Sequence, residues 1–271
     1  MTSFKKILIP VDFSLGTEIA VRKAMGLLDP KDPEIHLQHV VKNTSGATAK
    51  FNMWEAEKKL SQWKTTIQES VDGIKVTTGI LPGSSVTREI VDSAKLLSPD
   101  LIVIGKQGDK RWWPFSDKVS PDQIAKNSNC PVLTVKPGSI HKKTKIIVVP
   151  VSHFVPERKL ELAVLIARRC RARIHLLAIQ DTGKGHEPGL SDSFLAAYNQ
   201  LREHLHNPVE YLTISTRKFA RTALHYAESV MADMILVNPE TESGIFTLTG
   251  SRHISDLIGC NSNIQVLDVQ S

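Results

Sequence analysis

Asp12 follows the apolar run Ile7–Val11 and precedes Ser14 and a helical pattern, so a carboxylate stands at the end of a buried strand. There it can cap the next helix or face a ligand. Gly105 and Gly108 follow a second run, Leu101–Ile104. Two glycines so spaced make a tight strand-to-helix turn whose backbone N–H groups can meet an anion. Lys106, Lys110, Arg111 and Lys118 crowd the same stretch and would form a cationic mouth if it folds over the strand ends. Solvated surface is the ordinary fate of such charges. Trp112 and Trp113 between them would stack a base or plug a cavity, and the plug is the better reading.

Catalysis has little support. The sequence has no Gly-x-Ser-x-Gly elbow, no phosphate loop ending in Gly-Lys-Ser/Thr, no His-Glu-x-x-His and no carboxylate pair placed by a motif. A receiver domain would need an acidic cluster, and only one acid ends the first strand. His39, at the end of a strand, reads as a core histidine with a satisfied hydrogen bond, because no second metal ligand lies at a useful spacing. Cys130 precedes a buried strand and reads as a packed thiol. No catalytic residue and no metal site are assigned.

The elements that must position these residues follow from length and pattern. The chain has 271 residues, which at roughly 100–200 residues per domain favours two domains. Apolar residues make up 41% and charged residues 23%, an ordinary globular balance. The net charge of +6 is spread along the chain without a basic stripe, so nucleic acid is not an expected partner. Three dispersed cysteines fit a reducing compartment, and no run approaches the roughly 18 apolar residues of a membrane span. A soluble cytoplasmic protein with no membrane association is expected.

The sequence repeats itself. Ile7-Leu8-Ile9-Pro10-Val11-Asp12 returns as Ile147-Val148-Val149-Pro150-Val151-Ser152, and Asp100-Leu101-Ile102-Val103-Ile104-Gly105 returns as Asp233-Met234-Ile235-Leu236-Val237-Asn238. A third pair, Cys130–Val135 and Ser262–Leu267, closes each half. Three matches in one order mark a duplication, with domains at 1–137 and 144–271 and a turn-rich linker at 138–143.

Strands are expected at Ile7–Val11, Ile35–Val41, Val76–Ile80, Leu101–Gly105 and Val132–Lys136. The second half repeats them at Ile146–Val151, Ile174–Ile179, Glu210–Ile214, Met234–Val237 and Ile264–Val269. Helical faces lie between them, among them Ala20, Ala24 and Leu27, then Leu60, Trp63 and Ile67, then Ile90, Val91 and Ala94. The fold class is α/β: two tandem, doubly wound, Rossmann-like parallel-sheet domains.

With these residues in place the chain resembles the universal stress protein family in its tandem, two-domain form. The likeness rests on Ile-Leu-Ile-Pro-Val-Asp-Phe-Ser at 7–14, Asp-Leu-Ile-Val-Ile-Gly-x-x-Gly at 100–108 and Asn-Cys-Pro-Val-Leu-Thr-Val at 129–135. It implies an adenine-nucleotide-alpha-hydrolase-like fold. It also implies a nucleotide site at the carboxyl ends of the strands, where an open α/β sheet reverses its strand order.

In the first half the resemblance assigns Asp12 to the adenine side, Val40 to a backbone position lining that pocket, and Gly105 and Gly108 to the phosphate turn. Where the family pattern continues with Gly-Ser or Gly-Thr, this chain has Lys118-Val119, which supplies charge but neither glycine nor hydroxyl. The second half has Ser152 for the acid and Asn238-Pro239-Glu240-Thr241 for the glycine turn, yet keeps Gly250-Ser251.

The expected function is therefore that of a non-enzymatic stress-response protein with degenerate nucleotide motifs. It would require no cofactor and would sense ATP, another adenine nucleotide or a different small anionic ligand in its first domain. The alternative is a nucleotide-free scaffold acting through protein contacts. The family's way of pairing last strands implies an intramolecular pseudo-dimer, and a further homodimer is allowed.

Overall fold

The computed structural model describes residues 3–42, 47–106, 119–136, 138, 143–151, 157–180, 192–216, 219–238 and 264–270. The chain divides into two compact units, Ser3–Ile140 and His141–Ser271. Lys118, Trp112, Trp113, Gly108, Ser152, Glu240, Gly250 and Ser251 lie outside the described residues.

In unit 1 the order is β1 (Lys6–Pro10), α1 (Leu15–Leu27), β2 (Glu34–Lys42), α2 (Ala47–Ser70), β3 (Lys75–Gly83), α3 (Val86–Leu97), β4 (Leu101–Gly105), α4 (Pro121–Ser128) and β5 (Val132–Val135). The strands lie in the order β3-β2-β1-β4-β5, every pair parallel. Right-handed crossovers then place α1 and α2 on one face and α3 and α4 on the other. The second face is a continuous apolar layer in which Ile90, Val91 and Ala94 of α3 and Ile124 and Ala125 of α4 meet Leu8, Ile102, Ile104 and Val132 of the sheet.

Unit 2 runs β6 (Ile146–Val151), α5 (Glu157–Cys170), β7 (Arg173–Gln180), α6 (Asp192–His204), β8 (Val209–Ser215), α7 (Phe219–Ser229), β9 (Met234–Val237) and β10 (Gln265–Asp268). Its order is β10-β9-β6-β7-β8, again parallel throughout. The repeat extends to register. Ile7 and Leu8 align with Leu101 and Ile102, and Ile147 and Val148 align with Met234 and Ile235.

One acid fixes this register in both units. Asp100 Oδ2 accepts the backbone N–H groups of Lys5 and Lys6, both at 2.8 Å. Asp233 Oδ2 accepts those of Lys145 and Ile146 at 2.8 and 3.1 Å. The repeated Asp of the sequence motif is thus an anchor at the amino ends of the strands, away from the ligand end.

The strand boundaries read from sequence hold to within a few residues, because near-continuous β-branched runs have no other way to be buried. Helices α4 and α6 carry no periodic signal singled out in the sequence. Among the described residues, no helix is long and apolar enough to cross a membrane.

Candidate functional site

Strand order reverses between β1 and β4, so the carboxyl ends of these two strands form the crevice in which an open sheet takes ligands. β1 ends at Pro10, level with Gln38, whereas β2 continues to Lys42. The backbone of His39–Lys42 therefore rises past the end of β1, and Asp12 stands in the notch beside it. Val40 is buried there and pairs with Leu81 on its β3 side.

Asp12 has a structural duty as well. Its Oδ1 accepts the Ser14 backbone N–H at 3.1 Å, the Ser14 hydroxyl at 2.6 Å and the Thr17 hydroxyl. Ser14 is the N-cap of α1 and receives the Thr17 N–H. Both readings of Asp12 thus bear on one carboxylate. Among the described residues Oδ2 accepts no hydrogen bond, and it is not one of the sealed, unpartnered polar atoms. A further acceptor position is left at the strand end.

Between Asp12 and α1 the chain turns through Phe13 at φ 61°, a left-handed conformation costly for a bulky residue. Its ring packs 4.8 Å from His39 and 6.3 Å from Trp63, with the Lys59 ammonium 5.4 Å from the ring centroid. His39 Nδ1 donates to the Val11 carbonyl at 2.7 Å, since a carbonyl can only accept. That is the satisfied hydrogen bond expected of a core histidine. Burial holds the imidazole below the usual histidine range, with the Val11 bond and the Asp12 charge pulling the other way. The cluster of Phe13, His39 and Trp63 was not legible in the sequence, because α2 brings Trp63 from a distance and no spacing rule links it to Asp12.

Gly105 has a reason to be glycine that no ligand is needed to explain. A Cβ there would stand 1.9 Å from the Gly16 carbonyl oxygen, in the first turn of α1. The helix start is pressed onto the end of β4, and glycine at position 105 is what allows that approach. Val119 turns toward the α3 and α4 face and packs on its core, so the residue in the family's hydroxyl position serves the apolar layer. Among the described residues no cluster of three His, Cys, Asp or Glu side chains could hold a metal ion. Cys130 is buried, its thiol donating to the Pro99 carbonyl at 3.2 Å.

In unit 2, Asn238 takes the place of Gly105 and is fully buried. Lys159, in the first turn of α5, is also fully buried and donates from Nζ to the Pro150 carbonyl at 2.6 Å. A lysine there interrupts the apolar face of α5 in the sequence.

The sequence model of the Universal stress protein family matches residues 3–136. A universal stress protein of Methanocaldococcus jannaschii is 30% identical over 144 residues, covering 49% of this chain and 82% of the relative. The crystal structure of a universal stress protein from Archaeoglobus fulgidus superposes with a TM-score of 0.72 at 16% identity, covering 99% of this chain and 97% of the other. A Pseudomonas aeruginosa protein described as functionally unknown gives 0.60 at 16% identity, over 98% and 92%. At that identity the two structures speak for the fold alone. The match of the family model to residues 3–136 and the identity with the archaeal relative, of which 82% is covered, carry the stronger conclusion: the chain belongs to the universal stress protein family.

Proposed function

We propose that unit 1 binds an adenine nucleotide, ATP among them, or another small anionic ligand, and that it acts as a stress-response sensor by binding and not by turnover. The observation that carries this reading is Asp12 Oδ2, which among the described residues accepts no hydrogen bond, in the notch where β2 outruns β1. An acceptor there suits the amino group of a base, with the Val40 backbone beside it. Gly108 and Lys118 would meet the phosphates, and Gly105 would close the turn. Gly250 and Ser251 give unit 2 a weaker claim to the same chemistry. No cofactor is required, and a reducing, cytoplasmic setting suits the dispersed cysteines of the sequence.

Calorimetry with ATP, ADP, AMP and a cyclic nucleotide tests the reading on wild type and Asp12→Asn. The amide keeps an oxygen for the α1 cap and loses the charge. Binding by wild type that weakens about tenfold or more, roughly 1.4 kcal/mol, in the variant is the expected result. No binding of any of the four by wild type overturns it.

Two observations favour a second reading, a nucleotide-free scaffold: Val119 is drawn into the core, and Gly105 is spent on Gly16. A nucleotide released from the purified protein on denaturation, seen by mass spectrometry, would remove that reading.

A further inference from the structure

The amino ends of the strands, opposite the ligand end, carry different charges in the two units. In unit 1 the connection from α1 to β2 holds Asp29, Asp32 and Glu34 against Lys31. The matching connection in unit 2, from the end of α5 into β7, reads Arg-Arg-Cys-Arg-Ala-Arg over 168–173, and its arginines are all exposed. Basic residues suit a helix C-terminus, but α1 has none in its last turn, so the fold does not demand them.

Hydrogen bonds set further groups along this rim. The Arg173 N–H donates to the Lys145 carbonyl at 2.8 Å, which brings exposed Lys145, with exposed Lys143 two residues before it, beside the arginines. On the other side of β6 the Lys145 N–H is held by Asp233, so the turn from α7 into β9 comes next. That turn presents Met231, 83% exposed, whose N–H donates to the Glu228 carbonyl. The rim thus passes from an apolar tip flanked by Glu228 and Asp233 to a basic surface on β6 and β7. Arg171 and Met231 also stand in left-handed conformations just past helix ends, φ 56° and 52°, where glycine or asparagine is the unstrained choice. Unit 1 puts the smaller Ser98, φ 47°, in the place of Met231.

We propose that this rim of unit 2 docks an extended acidic segment of a partner protein, with one apolar residue of the segment on Met231 and the carboxylates after it on Lys145, Lys143 and Arg171. Guanidinium groups take carboxylates through paired, charge-assisted hydrogen bonds, and methionine adapts to varied apolar partners. The starts of β9 and β7 lie two strands apart, about 10 Å, which is the reach of about three residues of extended chain. The order of charge selects the partner. A phosphate backbone or an anionic bilayer is negative throughout and would meet Glu228 and Asp233 beside Met231, whereas a peptide can set its apolar residue there. Arg173 is paired with Glu210 at 3.2 Å, so the contact rests on Arg171 and the two lysines. The proposal does not depend on nucleotide binding by unit 1.

The test is fluorescence anisotropy of a dye-labelled peptide, a leucine followed by a run of glutamates, with the full chain at low salt. The variants are Arg171→Asn combined with Lys145→Gln and, separately, Met231→Ser. Asparagine tolerates the left-handed turn and serine is what unit 1 uses, so both proteins should fold, which circular dichroism and a thermal melt check. The expected result is binding by wild type that weakens with salt, falls about tenfold or more in the double variant and falls less in Met231→Ser. No binding by wild type, or equal binding by wild type and the double variant, overturns the proposal. Equal binding of a peptide with glutamine for glutamate overturns it too, as does tighter binding of a DNA duplex or of phosphatidylserine vesicles. If the double variant fails to fold, Met231→Ser decides: weaker binding supports the site, and unchanged binding overturns it.

Discussion

The carboxyl ends of the central strands are built differently in the two units. In unit 1 the end of β4 and the start of α1 touch through Gly105 and Gly16, with Ile19 fully buried behind them. In unit 2 Asn238 stands in the place of Gly105 and Lys159 lies in the first turn of α5, both fully buried, the lysine bound to the Pro150 carbonyl. A buried ammonium survives only where hydrogen bonds replace its lost water, and the Pro150 carbonyl supplies one of them. The two units share strand order and register while these strand ends differ.

A second comparison lies beneath the helices. The repeated Ile-His-Leu of β2 and β7 places His36 and His175 alike. His36 Nε2 donates to Gln38 Oε1 at 3.2 Å, which leaves Nδ1 to accept the Thr77 hydroxyl at 2.9 Å. Ser93 of α3 joins through the same Gln38 oxygen at 3.4 Å. In unit 2, Tyr226 of α7 stands where Ser93 does and donates to His175 Nδ1 at 3.0 Å, while Nε2 faces Glu210 Oε2 at 3.5 Å. The hydrogen-bond partners of His36 are neutral, with Glu34 and Lys6 acting on it by charge, whereas unit 2 sets the Glu210 carboxylate 3.5 Å from His175 Nε2.

The sharpest break of the first comparison is Gly105→Ala. A methyl group cannot occupy a point 1.9 Å from the Gly16 oxygen, so α1 must lift from β4. A loss of about 3 kcal/mol is expected in urea denaturation. If the variant is as stable as wild type, the glycine pair is not what seats the helix.

Acid pH sharpens the second comparison. Burial is the main cause that lowers His36, His39 and His175 from the ordinary histidine value. The unfolded chain therefore takes up protons first, and the stability these groups contribute is present above about pH 6.5 and is lost as pH falls through their folded values. Among the described residues unit 1 holds two such histidines, His36 and His39, and unit 2 holds one, His175, whose value Glu210 draws back up with Arg173 opposing, so unit 2 should be the less acid-sensitive unit. Hydrogen exchange measured unit by unit at about pH 7.5 and about pH 5.5 should show the larger fall in unit 1. Glu210→Gln should enlarge the fall in unit 2.

The smallest effect is expected for Tyr226→Phe, which leaves His175 Nδ1 without its donor at a cost of about 1 kcal/mol in thermal melting. A neutral result would mean that ring packing, and not the hydroxyl, holds that position.

Much of the fold was legible. The runs around Ile7, Leu101, Ile147 and Met234 named the central strands, and the repeated Asp100 and Asp233 marked the duplication before their anchoring role was visible. The candidate site was legible only in part. Asp12 and Gly105 stood out as residue types, yet sequence could not reveal that three donors already converge on Asp12 Oδ1, or that Gly16 is the reason for Gly105. Phe13 gave no signal, because a left-handed φ at a bulky residue is imposed by packing against His39 and Trp63.

By itself the sequence determined the alternation of strand and helix, the duplication and the face of most helices, since these follow from apolar periodicity along the chain. The tertiary structure decided why β4 ends in glycine and what packs around Phe13 beside Asp12. Gly105 meets Gly16 and Phe13 meets Trp63 across long stretches of chain, and no local pattern records such a meeting.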